Sequence, residues 1–199
     1  SFASGRLLTL EAARNVVLNS TVTLTGGSDL TINAGGGLSG ASGVSLASDS
    51  ALIVDQAGAS TYSGVISGAG GVTKSGAGTL TLTGSSTFTG GLTVNSGNLI
   101  ANGGQRSLSR VSTNAVTIRN GGTLILASDD VFGIHSDTDT LNPIEVQAGG
   151  TLTNSGANKF NRLGPLTLSG GTLTSTSGYT GSSYTNGAWL LVGTLSVTE

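Results

Sequence analysis

The densest group of side chains with chemical potential lies at residues 129–139, where Asp129, Asp130, Asp137 and Asp139 surround His135, the sole imidazole of the chain. Hard cations take carboxylate oxygens and transition metals take imidazole, so a metal site would be sought here first. The spacing is not that of an EF-hand, and the glycine-rich nonapeptide of calcium-binding β-rolls is missing. The stretch therefore reads as a solvated loop inserted between two structural repeats. A serine nucleophile paired with His135 would need an elbow of the G-x-S-x-G kind to expose it. None is present, and the abundant hydroxyls read as solvated strand faces.

A second candidate is Gly68-Ala69-Gly70-Gly71-Val72-Thr73-Lys74-Ser75, close to the phosphate-cradling pattern G-x-x-x-x-G-K-[ST]. Thr73 stands where a glycine is required, and no long helix follows to offer its N-terminus to a phosphate. Repeat corners explain the segment better. Polysaccharide lysis would need a base poised beside clustered carboxylates, and Lys74 and Lys159 are isolated. Thr-x-Thr pairs recur at Thr21/Thr23/Thr25, Thr81/Thr83, Thr87/Thr89 and Thr172/Thr174. Ice-binding solenoids show such rows on coils of strict length, whereas repeat lengths here drift, and outward threonine is ordinary in strands. Tyr179, Tyr184 and Trp189 offer a sugar-stacking surface, but the favoured reading is that they seal a wide loop against the coil. No residue is assigned as catalytic, cofactor-binding or metal-ligating. No cofactor is expected, nor is the chain expected to be an enzyme.

The scaffold that would position these groups is unusual in composition. Of 199 residues, 34 are glycine, two are proline, and none is cysteine or methionine. Only 9% are charged, against about a quarter in ordinary domains. The glycines lack the every-third-residue rule of collagen. Weak charge and many Val, Ile and Leu residues argue against disorder. A net charge of −2 and scattered basic residues, with only Arg106 and Arg110 close together, exclude nucleic acid as a partner. The apolar run at residues 188–192 is far too short to span a bilayer. Residues 1–20 show no leader-like apolar region, and both ends read as cut, as in a piece of a longer protein or a processed mature form.

One repeat governs the chain. Leu92-Thr93-Val94, Val116-Thr117-Ile118, Ile144-Glu145-Val146 and Leu166-Thr167-Leu168 are each followed by a glycine corner and a second strand-like pair ending in Leu99, Leu124, Leu152 and Leu173. From Val94 to Ile118 to Val146 to Leu168 the steps are 24, 28 and 22 residues. Apolar residues alternate within each copy, the period of a half-buried strand. The same texture runs upstream through Val16, Val22, Leu30, Val44, Leu52 and Leu80. A propeller blade needs about 40 residues or more, so a solenoid of short strands fits better. The sequence predicts an all-β fold, a right-handed parallel β-helix of roughly eight coils of about 22–28 residues, forming a single segment over residues 1–199. Leu80, Leu82, Leu92, Val94, Val116, Ile118, Leu124, Ile144, Val146, Leu152, Leu166, Leu168 and Leu173 are expected to point inward.

Residues 71–99, from Gly71-Val72-Thr73-Lys74-Ser75-Gly76-Ala77-Gly78-Thr79-Leu80 through to Asn98-Leu99, resemble the passenger-associated β-strand repeat of bacterial autotransporters. That repeat runs approximately L-x-K-x-G-x-G-T-L-x-L-x-G-x-N-x-Y-x-G-x-T-x-V-x-x-G-x-L. Ser86 replaces its Asn and Phe88 its Tyr. Residues 8–20 are similar to filamentous-haemagglutinin-like exported proteins. The resemblance implies a β-helix displayed outside a bacterial cell, acting as a structural or adhesive stalk in adhesion, biofilm or filament formation. A polysaccharide-degrading or polysaccharide-binding β-helix is the alternative. Expected partners are further β-helix coils end to end, of the same chain or of stacked copies, and a host-surface or polysaccharide ligand.

Overall fold

A computed structural model describes residues 5–108, 115–133, 141–156, 159–176 and 189–198. The chain winds as a β-solenoid, and each turn lays short strands on those of the turn before. The first turn supplies β1 (Leu7–Ala12), β2 (Val16–Leu18) and β3 (Val22–Leu24); the second, β4 (Asp29–Ala34), β5 (Leu38–Gly40) and β6 (Val44–Leu46). The third supplies β7 (Ala51–Gln56), β8 (Ala59–Tyr62) and β9 (Ile66–Gly68). Then come β10 (Gly71–Ser75) with β11 (Thr79–Leu82), β12 (Leu92–Val94) with β13 (Gly97–Ala101), and β14 (Val116–Ile118) with β15 (Gly122–Leu126). The last are β16 (Ile144–Gln147), β17 (Thr151–Asn154) and β18 (Asn161–Leu163), then β19 (Leu166–Ser169), β20 (Thr172–Ser175) and β21 (Trp189–Leu191), then β22 (Leu195–Thr198).

Nine strands form the first sheet, in the order β1-β4-β7-β10-β12-β14-β16-β19-β22, and eight the second, β2-β5-β8-β11-β13-β15-β17-β20. All strand pairs are parallel. Among the described residues the third side forms a sheet at its ends, β3-β6-β9 and β18-β21. Between them single backbone bonds carry it, such as Thr87 N–H to Ile66 O at 2.7 Å and Thr89 N–H to Gly68 O at 2.8 Å.

Alternation decides which side chains fill the tube. Leu30, Leu52, Val72, Leu92, Val116, Ile144 and Leu166 stack in register and are buried. Loops absorb the drift in repeat length: Val116 pairs with Ile144 although 28 residues separate them. The expected inward positions are buried, except that Leu168 and Leu173 are only partly so. Leu168 is covered by β22, whose Leu195 and Val197 are 54% and 69% exposed, and Leu173 lies on β20, the last described strand of the second sheet. No described helix is long and apolar enough to cross a membrane.

Candidate functional site

Lys74 has the least expected placement. It lies on β10 in the phase of an inward residue, stacked between Val54 below and Val94 above. The side chain is 1% exposed, and its ammonium reaches forward to the corner that ends the strand. Nζ donates to the carbonyl oxygens of Ser75 at 2.6 Å, Gly76 at 2.8 Å and Ser96 at 3.4 Å, so each N–H has an acceptor. Burial lowers its pKa to about 8, against an upward pull from the Asp55 carboxylate. This lysine cannot meet a phosphate outside the coil. It ties one corner to the corner of the next turn.

The glycines after it have separate reasons. Gly76 has φ of +73°, and a Cβ there would lie 2.4 Å from Gln56 O and 2.5 Å from Asp55 Oδ1. At Gly78 a Cβ would stand 2.1 Å from Gly58 O in the turn below. Lys-x-Gly-x-Gly thus encodes a buried cation, the backbone turn whose carbonyl receives it, and a close approach between turns. Further on, Ser86 is fully buried and its Oγ accepts from Ile66 N–H at 3.2 Å, while Phe88 is buried in the core. The two departures from the repeat pattern are therefore accommodated inside the coil.

Residues 129–139 require a correction. His135, Asp137 and Asp139 lie outside the described residues, but Asp129 and Asp130 do not form a solvated loop. Asp130 is 1% exposed, and its Oδ2 lies 3.0 Å from Arg162 Nε. Its Oδ1 accepts from Arg162 N–H at 3.3 Å, while Asp129 Oδ1 accepts from Phe160 N–H at 2.9 Å. Asn161 completes the cluster: its Oδ1 accepts from Val131 N–H at 2.8 Å, and Nδ2 donates to Ser128 O at 3.0 Å and Asn154 Oδ1 at 3.1 Å. This is the third side of the coil. Side chains hold strands there because turns of unequal length leave backbone groups without ladder partners. One signal was available: Asp130 and Arg162 are opposite charges about one turn apart.

The outer faces are chemically mild. On the first sheet Thr31, Ile53, Thr73, Thr93 and Thr117 stack in one outward column. In the next column, Arg119 Nη1 donates to Asn95 Oδ1 and Asn95 Nδ2 to Ser75 Oγ, each at 3.3 Å. Among the described residues no group of three or more His, Cys, Asp or Glu side chains could hold a metal. Tyr179 and Tyr184 lie outside the described residues. Trp189 packs, partly buried, against the core.

A family model, the passenger-associated-transport-repeat, matches residues 72–101. No curated protein and no solved structure gives a match. The matched stretch runs from the inward Val72 of β10 to Ala101, the last residue of β13, and so covers two neighbouring strands in each of the two long sheets. Lys74, the corner glycines, Ser86 and Phe88 all fall within it, and the chain is accordingly a β-solenoid bearing an autotransporter passenger repeat at residues 72–101.

Proposed function

We propose that this chain is a structural and adhesive stretch of an exported bacterial surface protein rather than an enzyme. The observation that carries the proposal is that the matched repeat is built into a continuous solenoid, its one lysine spent on an internal corner. Repeats of this family suggest a secreted or cell-surface protein. The outward residues of the first sheet, mostly threonine with scattered polar side chains, suit weak, repeated contacts along a rod better than a single chemical step. Leu195 and Val197 continue the inward columns of Leu166 and Leu168 and are largely exposed, an apolar edge that suits pairing with a further β-helix rung.

Two measurements on one preparation test this. Beads carrying the chain are scored for attachment to epithelial cells and to bacterial exopolysaccharide, and the soluble chain is assayed for release of new sugar ends from the same polysaccharide. Attachment without release supports the proposal. Release of sugar ends would replace it with an enzymatic role, and neither attachment nor release would reduce the chain to a passive stalk.

A further inference from the structure

In an Asn–Gly pair the glycine has no side chain to hinder attack of its backbone nitrogen on the asparagine carboxamide, so such pairs are chemically labile. The chain has three: Asn102-Gly103, Asn120-Gly121 and Asn186-Gly187. The last lies outside the described residues. The solenoid treats the other two differently. At the corner after β14, Gly121 N–H donates to Gly149 O at 3.1 Å, and Gly121 O accepts from Gly97 N–H at 3.0 Å. At the corner after β13, Asn102 N–H donates to Leu82 O at 2.9 Å, but among the described residues Gly103 N–H meets no acceptor. Asn102 is exposed and Gly103 is half-buried.

Ser128, from the turn above, positions the asparagine against that free nitrogen. Its Oγ donates to Asn102 Oδ1 at 3.1 Å and accepts from Gly104 N–H at 3.1 Å. One hydroxyl thus holds the end of the Asn102 side chain beside the backbone two residues on, with the Gly103 nitrogen between them. Ser128 is 7% exposed, which shelters the bond from competing water. The same bond has a chemical effect. A donor on Oδ1 makes Cγ more electrophilic and stabilises the oxyanion that forms when a nucleophile adds, and a nucleophile held in place needs no encounter. Among the described residues no donor is bonded to Asn120 Oδ1.

We propose that Asn102 is a site of self-catalysed deamidation, at which the Gly103 backbone nitrogen attacks Asn102 Cγ. Hydroxide from solvent takes the Gly103 N–H proton, the N–Cγ bond forms, and charge builds on Oδ1 against Ser128 Oγ–H. The Cγ–Nδ2 bond then breaks and Nδ2 leaves as ammonia with a proton from solvent, closing a succinimide ring. Water opens the ring at either carbonyl. Breaking the N–Cγ bond gives aspartate, and breaking the bond from Gly103 N to the Asn102 main-chain carbonyl gives isoaspartate. One water is consumed and one ammonia released. Isoaspartate lengthens the main chain by a methylene at a corner where a Cβ on Gly103 would lie 2.7 Å from Gly84 O. Ageing therefore adds a negative charge and loosens the corner just past the matched repeat.

The test is prolonged incubation of the folded chain in mildly alkaline buffer, with its tryptic peptides followed by mass and isoaspartate located by electron-transfer fragmentation. The three Asn–Gly pairs fall in separate peptides, residues 75–106, 120–159 and 163–199. Peptide 75–106 should gain one mass unit at residue 102, with isoaspartate present. That gain should come about tenfold faster than the one at residue 120, where Gly121 N–H must first give up its hydrogen bond. In concentrated urea the two sites should convert at similar rates, because both are then plain Asn–Gly. Ser128→Ala should slow conversion at Asn102 several-fold and leave Asn120 unchanged. Conversion at Asn120 as fast as at Asn102 in the folded chain overturns the proposal, as does an Asn102 that converts only in urea. An unchanged Asn102 rate in a folded Ser128→Ala variant overturns the part given to Ser128; if that variant does not fold, the comparison of the two sites in the parent chain still decides.

Discussion

The side chain of Lys74 reaches forward to the corner that ends its own strand, so that Nζ donates to the carbonyl oxygen of Gly76 at 2.8 Å. Two effects compete at such a site. Burying an ammonium is costly, but three carbonyl acceptors compensate its three protons. Lys74→Met keeps most of the side-chain volume and removes only the donors, so the acceptors lose more than the core gains. The expected outcome is a loss of about 1–3 kcal/mol at neutral pH, read as a lower urea midpoint with unchanged slope. A variant as stable as the parent would mean that the corner does not need its cation.

Alkaline pH gives an independent reading of the same residue. In the unfolded chain Lys74 takes up its proton near pH 10.5, whereas in the fold it does so near 8. Between these values the unfolded state binds more protons, so stability rises with pH from about 8 towards 10.5, and below about 8 this group adds no pH dependence. Tyr62 acts in the opposite sense above that window. Burial raises its pKa from 10.0 to about 12, so there the unfolded state loses a proton that the fold retains, and stability declines. Melting temperatures in half-unit steps from pH 7 to 11 should show a rise followed by a fall. Lys74→Met should lose the rise and Tyr62→Phe the fall; identical profiles for all three proteins would contradict this assignment.

Much of the fold was legible because the solenoid repeats one decision. Leu-x-Val and Val-x-Ile pairs at coil-length steps define the first sheet, and Gly-Gly-Thr-Leu the second. The same phase was present at Val72-Thr73-Lys74, where Lys74 takes the place of Val94 and Val54. A charge is ordinarily assigned to the outside, which hid its inward direction. Asp130 and Arg162 were hidden for a related reason: each is an ordinary surface residue alone, and only the winding brings them to 3.0 Å.

The Asp130–Arg162 pair should be far more sensitive than a surface ion pair. Removing one member of a buried pair takes a counter-charge from the other, at a cost of up to about 3–5 kcal/mol. Asp130→Ala should therefore destabilise the chain strongly. Asp130→Asn, which retains an acceptor for Arg162 N–H and loses the charge, should fall between that variant and the parent. The ordering is checked by chemical denaturation of the three proteins. A loss under about 1 kcal/mol for Asp130→Ala would return residues 129–133 to the status of a surface loop.

Removal of a whole turn tests the register itself. Val72 pairs with Leu92 and Lys74 with Val94, a step of 20 residues, and the turn below presents Leu52 and Val54 to the same columns. Deleting residues 72–91 should let β7 pair directly with β12, placing Leu52 against Leu92 and Val54 against Val94. In a solenoid stability approximates a sum over turns and their interfaces. The shortened chain should therefore keep its strand circular dichroism and a single cooperative transition, at a lower midpoint. Deleting only residues 72–81 joins half a turn to the wrong sheet, and no stacking then satisfies both the inward columns and the glycine corners. That protein should lose the cooperative transition. If the ten-residue deletion folds as well as the twenty-residue one, the columns do not set the register.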